Sequence, residues 1–228
     1  MPAKEGFYLT SNRDESLSRE KVDWPYQKDF PEYKIYYPKD NQGNGTWIAA
    51  DNRNNVVCLL NGAIKPHIRR EKYKKSRGLI VLDVFSYDST RDFKQFYDLE
   101  EIEPFTLVII LNGSISEFKW DGAYKYLSEY SMDKPRIWSS VTLYDPQVTK
   151  LRETWFDQWL LKTSDINRDE IFSFHKSENS DQPEYNIKMK RKMVQTLSIT
   201  SVYATAGETS VIYTDLTNET SSELIIKS

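Results

Sequence analysis

The stretch Gly6-Phe7-Tyr8-Leu9-Thr10-Ser11-Asn12-Arg13-Asp14-Glu15 decides the fold. Phe7, Tyr8 and Leu9 form a compact run of β-favouring side chains, and Thr10 and Ser11 keep it extended. Four polar or charged residues, Asn12 to Glu15, follow where the strand leaves the core. A strand end is a place where a fold holds charged groups rigidly at the mouth of a pocket. Taken alone, the same four residues equally describe a surface turn with an arginine–carboxylate pair.

Pro2–Gly6 reads as a turn into that strand, and a turn implies a partner strand before it. Either Phe7–Ser11 is an edge strand, or a natural chain continues upstream of Met1; the second is the expectation. Residues 16–44 carry Pro25, Pro31 and Pro38 and predict a long surface excursion with one short strand near Lys34–Tyr37. Gly45–Ala50 and Val56–Ala63 then flank the Asn-rich Asp51–Asn55, a β-hairpin pattern.

Lys65–Arg77 is basic, with Lys65, Arg69, Arg70, Lys72, Lys74, Lys75 and Arg77. Ser76 is placed to cap a helix over Gly78–Tyr87, and Ser89 or Thr90 to cap another through about Tyr97. Glu103–Gly113 holds an apolar run short enough for a strand buried on both faces. Ile115–Trp120 and Tyr124–Tyr130 alternate like antiparallel strands, and Arg136–Thr142 adds a further candidate. Asp145-Pro146 opens a helix whose Val148, Leu151, Trp155, Phe156, Trp159 and Leu160 share one face. A second helical run covers Ile166–Ser177, and strands resume at Met193–Ala204, Val211–Leu216 and Glu223–Lys227. Strands, helices, strands, helices, strands is an order that suits an α+β sandwich of two stacked, mainly antiparallel sheets between helical layers.

Composition sets the outer bounds. At 228 residues, 39% hydrophobic and 14% aromatic, the chain can build a core as one domain. A net charge of -3 gives no global reason to expect nucleic acid. A single cysteine excludes an intrachain disulfide. No 18-residue apolar run predicts a membrane span, and Met1–Glu5 lacks an apolar signal-peptide core. Asn44-Gly45-Thr46, Asn112-Gly113-Ser114 and Asn218-Glu219-Thr220 match the glycosylation pattern, which carries no weight without a signal. The compartment expected is the cytoplasm.

The ordered set SNRDE, GTWIA and a strand ending in LLNGA resembles the NRDE family, whose eukaryotic members are the transport-and-Golgi-organisation proteins. The resemblance is closer to bacterial members. KSRGLIVLDVF and EPFTLVIILNG are similar to it as well, so the likeness covers most of the chain. It implies a four-layer αββα sandwich of N-terminal-nucleophile hydrolase type, with amide (C–N) hydrolase or acyl transferase activity. A typical member begins Met-Cys and, once Met is removed, its cysteine thiol is nucleophile while its own α-amine is base. The chemistry is sound, because an α-amine titrates at about 7.7–8.0 and a thiol at about 8.5. Here Pro2 stands at that position and offers no nucleophilic side chain. The resemblance therefore implies a short cysteine-bearing strand upstream of Met1, and no nucleophilic activity in the chain without it.

Arg13 and Asp14 match the Arg and Asp of the family motif and are the candidate catalytic residues, a guanidinium favouring a thiolate. Asn61 is the candidate oxyanion donor, with a turn-forming role before Gly62 equally open. Asn112 before Gly113 reads as a turn. Candidate binding residues are Asn12, Trp47 beside the expected pocket, and Arg77 in the basic run before a helix N-terminus. Cys58, mid-strand between Val57 and Leu59, reads as buried and inert. His67 and His175 are far apart, without Cys or carboxylate at ligand spacing, so neither a metal site nor a cofactor is expected. There is no Walker phosphate loop and no Gly-x-Ser-x-Gly elbow. The partner expected is a small-molecule amide or acyl compound. The alternative is a non-catalytic carrier of haem or an acyl lipid, to which eukaryotic relatives have been linked; His67, His175, Met193 and the many Tyr side chains would then be the candidate haem contacts, without a ligation motif.

Overall fold

The computed structural model describes residues 1–227, in which the opening stretch is one strand, β1 (Phe7–Ser16), carrying the whole Asn-Arg-Asp-Glu set within it. β2 (Val22–Asp29), β3 (Lys34–Asp40), β4 (Ile48–Asp51) and β5 (Val56–Asn61) follow. Two short helices, α1 (Arg77–Asp83) and α2 (Thr90–Phe96), precede β6 (Phe105–Leu111), β7 (Ser114–Trp120) and β8 (Lys125–Tyr130). α3 (Pro146–Lys162) and α4 (Arg168–His175) then lead into β9 (Val194–Ala204), β10 (Glu208–Asp215) and β11 (Thr220–Lys227).

One sheet has four strands in the order β1-β9-β10-β11, the other seven in sequence order from β2 to β8. All strand pairs are antiparallel. Alternation along β5 fixes the layers. Val57 and Leu59 pack with α1 and α2 residues such as Ile80, Val81 and Phe93. Val56, Cys58 and Leu60 face the other sheet, meeting Phe7, Leu9, Val202 and Val211. β6, apolar along its whole length, is buried on both faces. α4 lies on the far side of the small sheet, against β1 and β9. The result is the expected αββα sandwich.

Local chemistry explains the element ends. Asp145 caps α3 by accepting from Val148 N, Pro146 sits at its first turn, and Ser89 caps α2 through Asp92 N. Ser76 occupies the N-cap position of α1 without a side-chain bond. In the hairpin loop, fully buried Asp51 accepts from the backbone N–H groups of Arg53 and Asn55. Gly45 and Gly78 lie back to back where β4 approaches α1: a Cβ on Gly45 would stand 2.3 Å from the Gly78 carbonyl carbon. That contact lets Thr46 N–H donate to the Gly78 carbonyl at 3.1 Å.

Three expectations are corrected. Residues 16–44 are not one excursion with a single short strand: β2 forms there, across a cis Trp24-Pro25 bond and a register shift between Asp23 and Tyr26. Pro25 is tolerated because β2 is an edge strand and the ladder is already interrupted there. Arg136–Thr142 is not a strand; its Trp138 and Ser140 side chains bond Glu117 and the Asn61 carbonyl. The buried face of α3 is Val148, Arg152 and Phe156, leaving Leu151 37% exposed. Arg152 can be buried because its guanidinium donates to the Tyr185 and Asn186 carbonyls and lies on the Tyr144 ring.

Candidate functional site

β1 is an edge strand, paired only on its β9 side through most of its length. On the other side, Met1 bonds Tyr8 reciprocally, N–H to carbonyl, at 2.8 Å each way. Because both backbone groups of Tyr8 point away from β9, those of Thr10 and Asn12 do too. Among the described residues neither backbone N–H there has a partner. A cleft of about 690 Å³ opens along this edge.

The motif splits across the strand. Arg13 projects between the sheets, 8% exposed, its guanidinium 4.6 Å above the Trp47 ring and 2.9 Å from Asp40 Oδ2. Arg19 donates to the same oxygen at 3.0 and 2.9 Å, while Asp40 Oδ1 accepts from the backbone of Gln42 and Gly43. Burial works against this carboxylate, yet the Gly43 amide and the two guanidiniums outweigh it and hold its pKa below the usual value. Two cations thus share one anion, and the surplus positive charge lies on the cleft wall.

Asp14 projects the other way, past a register shift that skips Leu197 of β9. Thr196 Oγ1 donates to one of its oxygens at 2.6 Å and the Tyr144 hydroxyl to the other at 3.0 Å. Burial raises its pKa, against the pull of Thr196, Arg152 and Tyr144. Asn12 also faces the helical layer: its amide N–H groups donate to the His175 and Ile187 carbonyls at 3.0 and 2.9 Å. Its Oδ1 is therefore the acceptor for His175 Nδ1 at 2.8 Å, which fixes the imidazole tautomer. Burial, with Arg152 and the Met1 amine, lowers the His175 pKa to about 3.

Asn61, the last residue of β5, lines the same cleft as Arg13. It follows Leu60 and so lies on the strand face of Leu59 rather than of Cys58. Its backbone carbonyl accepts from Ser140 Oγ, and its side-chain amide has no partner among the described residues. Gly62 after it adopts φ +81, a turn conformation, with Val141 and Thr142 close against its α-carbon. Arg77 at the start of α1 reaches the Pro104 carbonyl at 3.2 Å and Glu103 at 3.3 Å, and Glu103 also holds His67. Trp47 belongs to the core between the sheets and has an unpartnered indole N–H. Cys58 also lines the cleft, where burial pushes its pKa up to about 11 despite a bond from Ser11.

Arg13, Asp14, Asn12, Trp47, Asn61 and Arg77 therefore border one cleft, and the guanidinium of Arg13 lies on the Trp47 ring. Sequence reasoning points to none of Asp40, Arg19 and Tyr144, and it offers His175 only as a candidate haem contact. Asp40, Tyr144 and His175 meet the motif across 27, 130 and 163 residues, Arg19 joins it only through Asp40, and no local signal marks them.

This sandwich, with an arginine-bearing edge strand at a cleft, defines a protein with the fold of N-terminal-nucleophile hydrolases. The family model described as Transport and Golgi organisation 2 (TANGO2) matches residues 3–226, so the chain belongs to that family. Among solved structures it is similar to two variants of the conjugated bile acid hydrolase from Clostridium perfringens. One is 10% identical with a TM-score of 0.54, covering 98% of this chain and 85% of that one. The other is 9% identical with a TM-score of 0.52, covering 100% and 89%. No curated protein matches the sequence.

Proposed function

We propose that the cleft is the reaction site of an amide (C–N) hydrolase or acyl transferase, completed by a cysteine carried on a strand that pairs along the open edge of β1. The observation that carries this reading is the pair of unpartnered backbone N–H groups at Thr10 and Asn12. Both line the cleft, and an added strand would satisfy them. Cys58 is no substitute, because its raised pKa keeps it a thiol at neutral pH.

In this reading the α-amine of the terminal cysteine takes the thiol proton. The sulfur then attacks the acyl carbon, forming a C–S bond and moving the carbonyl π pair onto oxygen. Arg13 stabilises the thiolate and the free amide of Asn61 donates to the oxyanion. Collapse breaks the C–N bond, and the leaving amine takes the proton from the α-ammonium. Water or an acceptor nucleophile then releases the acyl group from sulfur.

The test is a chain extended upstream by a Met-Cys strand, treated with a thiol-directed acylating probe and an acyl-amide panel. Labelling of the new cysteine with amide turnover, both weakened at least tenfold by Arg13→Ala, is expected. An extended, folded chain that neither labels nor turns over any amide would overturn the reading. A Soret shift on haemin titration of that inert protein would instead favour a carrier.

A further inference from the structure

We propose that the loop between β5 and α1 docks the protein on an anionic lipid bilayer, with the mouth of the cleft facing the membrane. Fifteen residues, 62–76, link these elements without helix or strand of their own. Loops of that length in a compact domain are commonly functional. Lys65, Arg69, Arg70, Lys72, Lys74 and Lys75 lie here with Glu71 as the sole acid, in a chain whose net charge is -3. Lys74 and Lys75 are tied to Asp98 and Asp83, and they anchor the loop base. Lys65, Arg70 and Lys72 are exposed and have no ion-pair partner among the described residues.

Set among these cations are two exposed isoleucines, Ile64 at 55% and Ile68 at 95%. An isoleucine that exposed contacts almost nothing of its own chain. A bilayer needs only such a protruding apolar side chain, flanked by four or more basic residues that meet acidic headgroups. A stable protein partner would need on the order of 1,200 Å² of buried surface, more than one loop of this length offers. Arg69, Arg70 and Tyr73 of the same loop also line the cleft, so docking would present the cleft to the lipid surface.

The experiment is cosedimentation with vesicles of phosphatidylcholine alone and with vesicles in which phosphatidylglycerol replaces about a third of it. Two variants accompany the parent chain: Lys65→Gln/Arg70→Gln/Lys72→Gln and Ile68→Ser. All four side chains are exposed, and an unchanged melting temperature confirms that each variant folds. The parent chain is expected to bind only the acidic vesicles and to dissociate in high salt. The triple variant should lose at least about tenfold in partitioning, and Ile68→Ser should lose binding that salt does not account for. Equal binding to both vesicles, no binding, or binding unchanged in the triple variant would overturn the proposal. So would capture of polyglutamate in preference to acidic vesicles, which would point to an acidic protein instead.

Discussion

Asp40 holds two guanidiniums with one oxygen, and that economy sets unequal costs for substituting its partners. Arg19→Gln leaves the buried Arg13–Asp40 pair intact and is expected to cost under about 1 kcal/mol. Asp40→Asn leaves the 8%-exposed Arg13 without its anion and should cost about 3 kcal/mol, read from urea denaturation midpoints. Gly45→Ala forces a methyl group into the Gly78 backbone and should cost at least as much, whereas Gly113→Ala meets no neighbouring atom. Gly113 has φ +74, so its alanine variant carries strain alone, about 1 kcal/mol. At this scale the sequence was informative where side chains act locally: the hairpin loop, the caps at Ser89 and Asp145, and the burial of Cys58. It named Asp14 but was silent on its partners, Tyr144 and Thr196, brought in by the segment leading into α3 and by β9.

Among the elements, the end of α4 is tied to β1 by one polar side chain, Asn12. Asn12 spends both amide hydrogens on carbonyls at the end of α4 and beyond it, and its oxygen on the His175 ring. Asn12→Leu is expected to destabilise the chain by about 2–3 kcal/mol. Amide hydrogen exchange should rise in Arg168–His175 well before it rises in β9 or β10. Equal acceleration across the small sheet would contradict this division. Elements with strong period-2 or apolar patterns, β1 and β5 to β8, were legible in the sequence. β2 was not, because Pro25 is allowed only by an edge position and an interrupted ladder, neither visible locally. The α3 face was misjudged for a related reason: Arg152 is buried by carbonyls that arrive from residues 185 and 186.

For the whole molecule, the order of strands and helices was enough to give two stacked sheets between helical layers, since each apolar face has few ways to be covered. The cleft was not legible as a shape, because its walls come from segments on both sides of the sandwich. Stability against acid should be governed in part by His175, whose pKa is about 3 in the folded chain against an ordinary 6.5. The unfolded chain binds that proton first, so the stabilisation is complete above pH 6.5 and is lost as pH falls towards 3. His175→Gln should flatten that limb of the stability curve by about 1.4 kcal/mol per pH unit, in denaturant titrations across the window. The charge of the β5–α1 loop has a further consequence for handling. With a pI near 5.6 the protein should migrate as an anion at pH 7, yet the β5–α1 loop gathers six cations around one acid. A sulfonate resin should therefore retain it at low ionic strength despite the unfavourable overall sign. Retention would come through one oriented face and vanish in the Lys65→Gln/Arg70→Gln/Lys72→Gln chain.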